Sequence, residues 1–195
     1  MNAPVMTAEK DTAGVRAIFA ESIALHERVA RGSLEPVVEA AAAIRSTYAE
    51  GGKLLIFGNG GSAADAQHMA AELLVRFQRE REPLAALALS TDTSVLTSIA
   101  NDYSFDRVFV RQIEALGRPG DVALGISTSG ASVSVLRGLE TARRRGLTSV
   151  ALTGRDGGEV GRAADIHVNV PDVSTARIQE VHRTLIHAIC ELVEE

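Results

Sequence analysis

Two stretches near the start of the chain place apolar residues three and four positions apart. The spacing runs through residues 11–31, then resumes near Ser33 and stops at Gly51 and Gly52. This is the period of an amphipathic helix, and a glycine pair is a common helix end. We predict two N-terminal helices within residues 1–50. Their apolar faces are long, so they need a partner surface, either a sheet or another subunit.

Beyond residue 53 the pattern changes to short, continuous apolar runs separated by helical patterns. Such runs, when turn residues bound them, are typical of strands that are buried on both faces. We predict five strands, at residues 53–58, 84–90, 121–127, 147–154 and 165–170. We predict helices at 62–77, near 93–100, in the stretch that ends at Arg145, and at 176–195.

Strands that alternate with helices predict a parallel sheet covered by helices on both faces. We therefore expect an α/β fold, a three-layer α/β/α sandwich with a five-stranded parallel sheet of the flavodoxin-like kind and an N-terminal helical extension. A length of 195 residues supports a single domain over 1–195, with helices in 1–50 and the α/β core in 53–195.

Composition and charge exclude several classes of protein. The formal net charge of −5 argues against a broad nucleic-acid surface, and the basic run 143–145 suits the end of a helix. A single cysteine, Cys190, excludes a disulfide framework. No apolar run approaches ~18 residues, and the N-terminus lacks the order of a signal peptide. We expect a cytoplasmic protein with no nucleic-acid and no membrane partner.

A glycine-rich loop follows the first predicted strand. It reads GNGGSAAD, from Gly58 to Asp65. Its glycines allow backbone torsions that other residues resist, and Ser62 is placed to cap the next helix. Free N–H groups at that helix start would attract an anion. Neither a dinucleotide fingerprint nor a Walker A loop fits, since Ala63 stands at the sixth position and no Gly-Lys-Ser/Thr follows. The loop is either an anion cradle or a purely architectural turn.

A hydroxyl-rich loop follows the third predicted strand. It reads STSGAS, from Ser127 to Ser132. Hydroxyl groups together with helix N–H groups bind phosphate without a lysine. The alternative is ordinary capping by Ser129 or Ser132. Both loops fall beyond the carboxyl ends of strands, where parallel sheets bind their ligands.

Candidate acid–base and metal-binding side chains lie on two predicted helices. His68 and Glu72 are four residues apart and share a face of the first helix after the glycine-rich loop. The last helix carries four more, Gln179, Glu180, His182 and His187. Such side chains could hold a zinc ion, although a lone histidine on a helix is more often packed or solvated. We interpret His26 and His167 as structural.

Spacing on the last helix limits how these residues meet. Gln179 and His187 are eight residues apart, which corresponds to roughly 12 Å of rise and ~80° of rotation. One metal ion cannot comfortably bind both from a single straight helix. Either Gln179 lies in an irregular first turn, or the two residues serve sites in different copies of the chain, which would place active sites at subunit interfaces. His182 lies roughly 60° from Gln179, so spacing does not exclude it as an alternative to His187.

Five blocks of the sequence resemble the phosphoheptose isomerases, which are sedoheptulose 7-phosphate isomerases of the sugar-isomerase (SIS) domain superfamily. They are GNGGSAADAQHMAAEL, ANDYSFD, GISTSGASVSVLRGLETAR, LTGRDGG and RIQEVHRTLIH. The resemblance implies an SIS fold, a homotetramer and the conversion of sedoheptulose 7-phosphate to D-glycero-D-manno-heptose 7-phosphate through an enediolate. That reaction begins ADP-/GDP-heptose biosynthesis for lipopolysaccharide and other surface glycans.

The resemblance also implies roles for individual residues. Glu72 and His187 match the acid–base pair of the family. Four residues match its metal positions, with one zinc ion expected per subunit: His68, Glu72, Gln179 and His187. Residues that would contact substrate are Asn59, Gly60, Gly61, Glu72, Asn101, Asp102, Ser127, Thr128, Ser129, Ser132 and Gln179, with the serines and Thr128 on the phosphate.

The residue at position 176 and one related SIS protein limit what the resemblance implies. Some members carry an acidic residue just before the Arg-Ile-Gln block, where this chain has Ala176. A related SIS protein that binds the bacterial replication initiator shares the architecture, and non-catalytic regulation of replication initiation is the alternative function. That protein lacks the glutamate and the final histidine. The presence of Glu72 and His187 favours the enzyme over this alternative. A third possibility is a sugar-phosphate sensor domain, but those usually accompany a DNA-binding domain, for which we expect no room in 195 residues.

Overall fold

The computed structural model describes residues 8–195, and its first two elements are the predicted N-terminal helices. Helix α1 spans Ala8–Ala30 and α2 spans Glu35–Ala49. Acidic residues in the first turn of α1 suit the positive end of its dipole, and a proline at the start of α2 has the fixed φ that a helix needs there. The first seven residues of the predicted segment 1–50 lie outside the described residues.

The described residues form a sheet of five parallel strands. The strands are β1 (Leu54–Gly58), β2 (Ala86–Ala88), β3 (Val122–Ser127), β4 (Thr148–Gly154) and β5 (Ile166–Val170). Their order in the sheet is β2-β1-β3-β4-β5, and Leu54 of β1 pairs with Val122 of β3. The prediction of a five-stranded parallel sheet is confirmed, although the edge strand β2 is much shorter than the predicted 84–90.

Six more helices connect and cover these strands. Four were predicted from the sequence: α3 (Gly61–Leu74), α4 (Thr93–Asp102), α6 (Val133–Arg144) and α8 (Thr175–Glu194). Three elements were not predicted from the sequence: a 3₁₀ turn at Phe105–Arg107, the helix α5 (Val108–Leu116) that follows it, and the six-residue α7 (Gly158–Ala163). None of the helices in residues 8–195 is long and apolar enough to span a membrane.

Alternate residues of the three central strands, β1, β3 and β4, pack into two separate hydrophobic cores. Leu54 and Ile56 of β1 pack with the side chains of α2, α3 and α8, whereas Leu55 and Phe57 pack with those of α5 and α6. This alternation is the two-residue period of a strand, so each face of the sheet carries its own helix layer. The predicted three-layer α/β fold is confirmed.

Helices α3 and α8 lie side by side on one face and run in the same direction. Arg183 on α8 donates to Asp65 on α3 at 2.8 Å. One turn earlier Gln179 meets Gly61, and one turn later His187 meets His68. Both helices start at the carboxyl edge of the sheet, so side chains far apart in sequence are brought level along their length.

Candidate active site

Three side chains from α3 and α8 meet about two turns into α3. His68 Nε2 lies 2.8 Å from His187 Nε2 and 3.5 Å from Glu72 Oε1. One ligand atom from each of the three residues lies within 4.8 Å of the others, and all three side chains are half-buried. We call these residues the His68–Glu72–His187 cluster. The structure thus brings together the two residues assigned to proton transfer and one further predicted metal-binding residue.

The donor set of the cluster suits zinc. Zinc binds imidazole nitrogen at about 2.0–2.1 Å, so two ligands of a tetrahedral ion lie about 3.3 Å apart. The separations of 2.8 Å and 3.5 Å around His68 Nε2 bracket that value. Two imidazoles and one carboxylate also leave a fourth position for another ligand, as catalytic zinc sites do.

His182, the alternative to His187, lies elsewhere. Its side chain is fully buried, and Nε2 lies 2.9 Å from the backbone oxygen of Thr153 on β4. Burial lowers the pKa of His182 below its usual range, which favours the neutral ring. His26 and His167, interpreted as structural, hydrogen-bond to Thr184 and Thr153. His182 therefore lies on the face of α8 that packs against the sheet, and His187 lies on the face toward α3.

Gln179 does not reach the cluster of its own chain. Helix α8 is regular from Thr175, so the irregular first turn considered from the sequence is absent. About 12 Å of helix rise separates Gln179 from His187. The side chain instead lies against Gly61, where an added Cβ would collide with the Gln179 amide. The four predicted metal-binding residues do not converge within one chain.

The glycine-rich loop enters α3 without a side-chain cap. The helix starts at Gly61, and Gly60 takes the N-cap position with φ of 57°, a torsion that favours glycine. Ser62 was predicted to cap this helix, and that prediction is wrong: Ser62 lies inside the first turn and is buried. The loop therefore presents backbone, not side-chain oxygen, at the helix start.

Asn59 joins this loop to the hydroxyl-rich loop. Its Nδ2 donates to Ser132 Oγ and to Ser134 Oγ, each at 3.0 Å. Ser134 is buried and was not among the predicted site residues. Extending the hydroxyl pattern by two positions along STSGASVS would have found it. The two loops thus form one continuous polar rim at the carboxyl edge of β1 and β3.

Within the hydroxyl-rich loop the serines do different things. Ser127 is buried at the end of β3, 3.4 Å from Ser129 Oγ, which also accepts from the backbone of Ala131. Ser132 occupies the N-cap position of α6 but makes no capping hydrogen bond. Thr128 and Ser129 are half-buried. Capping therefore does not account for Ser132, whose hydroxyl points to Asn59.

Asn101 and Asp102 lie apart from these loops. They are exposed residues in the last turn of α4, where Asn101 Nδ2 donates to Asp102 Oδ1 at 2.8 Å. In residues 8–195 no hydrogen bond joins either side chain to the two loops. The structure of one chain does not bring this predicted substrate-binding pair onto the polar rim.

Comparison with known proteins agrees with the geometry. The family model described as the SIS domain matches residues 17–154. The phosphoheptose isomerase of Aquifex aeolicus is 52% identical over 181 residues, which cover 93% of this chain and 95% of that protein. The chain belongs to the phosphoheptose isomerase family.

Solved structures place the fold in the same family. The phosphoheptose isomerase of Neisseria gonorrhoeae matches with a TM-score of 0.89 and 48% identity, over 94% of this chain and 98% of that one. The phosphoheptose isomerase of Francisella tularensis matches with a TM-score of 0.90 and 36% identity, over 96% and 98% of the two chains. These relatives give no support to the alternative of a non-catalytic replication regulator.

Proposed function

We propose that this chain is an aldose–ketose isomerase that converts sedoheptulose 7-phosphate to D-glycero-D-manno-heptose 7-phosphate. One observation carries the proposal: in a chain of the phosphoheptose isomerase family, the Glu72 carboxylate meets the His187 imidazole in a half-buried cluster. A carboxylate base beside an imidazole acid is the pair that proton transfer between neighbouring carbons requires.

The polar rim is the proposed phosphate site. Hydroxyl groups of Thr128, Ser129 and Ser132, with backbone N–H groups at the start of α3 and α6, would hold the phosphate. Asn59, Gly60 and Gly61 would contact the adjoining part of the sugar. Binding energy at this remote end would align the reacting carbons with the acid–base pair.

Proton transfer then needs two groups. The Glu72 carboxylate would take a proton from C1 of the ketose and return it to C2. His187 would donate a proton to O2 and accept the proton that leaves O1, so the reaction is balanced without a co-reactant. A positioned base contributes roughly 10²–10⁴-fold to such a rate.

A zinc ion is the proposed cofactor, held by one ligand atom each of His68, Glu72 and His187. Proton transfer would then use the second carboxylate oxygen of Glu72 and the second ring nitrogen of His187. When bound, zinc would polarise the carbonyl group and favour negative charge on the enediolate oxygens. Removal of metal by chelation should abolish turnover, and added Zn²⁺ should restore it. Turnover that survives complete removal of metal would contradict this part of the proposal.

We further propose a homotetramer with active sites between subunits. Gln179 and the polar rim of one copy would face the His68–Glu72–His187 cluster of another, which would join Gln179 to the other three ligands. Helix α1 supports association, since Val15, Ile18, Phe19 and Ile23 are between 49% and 65% exposed. Apolar residues gathered in this way on a surface usually mark a protein interface.

Subunit mixing would test the shared site. A Glu72→Gln chain and a Ser132→Ala/Ser129→Ala chain should each be poorly active alone. Co-expressed, they should regain activity, because some mixed interfaces combine an intact cluster with an intact rim. Mixed assemblies no more active than the separate variants would contradict sites shared between subunits.

The direct test of the function is turnover of sedoheptulose 7-phosphate followed by NMR. We expect the aldose phosphate to appear with purified wild-type protein and not with unphosphorylated sedoheptulose at the same concentration. Absence of turnover with zinc added would contradict the proposed function. A cytoplasmic location and supply of heptose for lipopolysaccharide or other surface glycans are part of this proposal.

A further inference from the structure

The segment between α3 and β2 is held by a carboxylate from the far end of the chain. Residues 75–85 form neither helix nor strand. Glu194, in the last turn of α8, accepts from the backbone N–H groups of Phe77, Gln78 and Arg79 at 2.7, 2.9 and 3.0 Å. Its Oε1 also accepts from Arg81 Nε at 3.0 Å. Four donors therefore converge on one carboxylate.

The Glu194 carboxylate is buried, and its oxygens accept four hydrogen bonds. Its side chain is 2% exposed and that of Arg81 is 15% exposed. Burial alone would raise the pKa of Glu194, but the backbone hydrogen bonds and the Arg81 charge outweigh it and lower the pKa to about 2. The group is a carboxylate at every pH at which the protein would be assayed.

Arg81 links the Glu194 carboxylate to α3, the helix that bears Glu72. Its Nη2 donates to the backbone oxygen of Glu72 at 2.9 Å, and its Nη1 donates to that of Leu73 at 2.8 Å. The last carbonyl groups of a helix have no partner within the helix, so Arg81 completes the end of α3. One guanidinium thus ties the main chain of Glu72 to the end of α8.

Phe77 links Glu194 to His187, because its backbone N–H donates to Glu194 and its ring contacts the imidazole. The Phe77 ring centroid lies 5.2 Å from that of His187, with the ring planes 35° apart. The position of Phe77 depends on its N–H bond to Glu194, two turns beyond His187 on the same helix. This contact closes one side of the imidazole and limits its rotation.

We propose that Arg81 and Glu194 are positioning residues that fix Glu72 relative to His187. The inference rests on the isomerase function proposed above. Neither residue touches the reacting atoms. Arg81 sets the main chain that carries Glu72, and Glu194 sets both Arg81 and the aromatic wall against His187. Loosening either one should spoil the alignment of the acid–base pair while leaving the phosphate site unchanged, because among the described residues neither Arg81 nor Glu194 hydrogen-bonds to the polar rim.

The chain offers a matched control for Glu194. Asp121 is also 2% exposed and accepts two backbone N–H groups, from Lys53 and Arg118, and the Lys53 ammonium group. It lies at the start of β3, at the opposite end of the sheet from the polar rim. Glu194→Gln and Asp121→Asn each turn a buried acceptor into an amide that faces backbone donors. The two variants should lose similar stability.

Kinetics of the purified full chain would separate positioning from stability. We expect Glu194→Gln to lower kcat by about 10–100-fold, as loss of a group that orients an active-site side chain does, with little change in KM. Asp121→Asn should keep wild-type kcat. Equal kcat in the two variants, or a loss confined to KM, would overturn the proposal.

A second variant keeps the test decisive if Glu194→Gln misfolds. A second measurement, which needs no turnover, keeps it decisive if the protein is not an isomerase. Arg81→Lys keeps the charge opposite Glu194 but lacks the planar fork whose three nitrogens reach the carboxylate and both carbonyl groups, so it should fold and still lose kcat. Zn²⁺ affinity, measured by competition with a chromophoric chelator, needs no turnover. It should fall about tenfold or more in Glu194→Gln and stay unchanged in Asp121→Asn. Inactive wild-type protein would count against the function alone, whereas variants that neither readout separates would count against positioning.

Discussion

The polar rim and the His68–Glu72–His187 cluster are built in different ways. The rim comes from two short loops at the ends of neighbouring strands, joined by Asn59 through hydrogen bonds to Ser132 and Ser134. The cluster joins side chains that are 119 positions apart in sequence, His68 and His187, across two packed helices. The rim therefore depends on local backbone conformation, and the cluster depends on how α3 and α8 pack.

This difference predicts a division of labour. A rim of hydroxyl and N–H groups can bind an anion but holds no group that would move a proton at neutral pH. The cluster holds such groups, two imidazoles and a carboxylate, but no hydroxyl group for an anion. Changes in the rim should act mainly on KM, and changes in the cluster mainly on kcat.

The largest effect should follow from Glu72→Gln. Loss of the carboxylate removes the proposed base, so kcat should fall by roughly 10²–10⁴-fold while the binding of sugar phosphate remains measurable. Glu191→Gln is the matched control, because Glu191 is exposed on α8 and outside the cluster. Near-normal turnover in Glu72→Gln would remove the base from the mechanism.

A pair of histidine variants on α8 should separate chemistry from stability. His187→Asn should lower kcat by about 10²-fold with little change in the free energy of unfolding. His182→Asn should keep kcat, but it should lose about 1–3 kcal/mol of stability because it disturbs the buried bond to Thr153. The measurements are steady-state kinetics and urea unfolding. The assignment fails if the two variants show the reverse pattern.

A smaller effect on turnover should come from the rim. Ser132→Ala removes a proposed phosphate contact and one of the two acceptors of Asn59. A hydrogen bond to a charged group contributes about 1.5–3 kcal/mol, so KM should rise about tenfold or more while kcat changes little. Ser46→Ala, an exposed serine on α2, is the control. A loss confined to kcat would erase the contrast between rim and cluster.

The smallest effect should be a pH dependence of stability from His182, which lies outside both regions, against β4. Burial lowers the pKa of His182 below its ordinary 6.5, so the unfolded chain binds more protons at pH values just below 6.5. The free energy of unfolding should therefore fall as the pH drops through that range. His182→Asn should show a shallower fall in urea unfolding between about pH 7.5 and about pH 5. Identical slopes would show that His182 titrates normally.

Prediction from the sequence succeeded where the signal was periodic and continuous. The five strands and the long helices follow from apolar patterns that are local to each element. Helix α5 was missed although Phe109, Ile113 and Leu116 have helical spacing, because the preceding Ser-Phe-Asp turn hides its start. Helix α7 has six residues and begins with glycine, so it offers too short a pattern.

In the site, pattern and packing contributed differently. The i, i+4 pair of His68 and Glu72 and the hydroxyl-rich loop could be recognised from spacing alone. Sequence left His182 and His187 as alternatives, and only packing turned one toward the sheet and the other toward α3. Phe77, Arg81 and Glu194 had no local signal, because their partners come from distant parts of the chain.

The sequence by itself determined the order of strands and helices and the two loops at strand ends, since these depend on neighbours within a few residues. Only the tertiary structure decided which faces of α3 and α8 meet, and therefore that His187 joins Glu72 while Gln179 stays beside Gly61. The physical reason is that helix periodicity defines the faces of each helix, whereas the offset between two packed helices is set by side-chain packing across the whole layer.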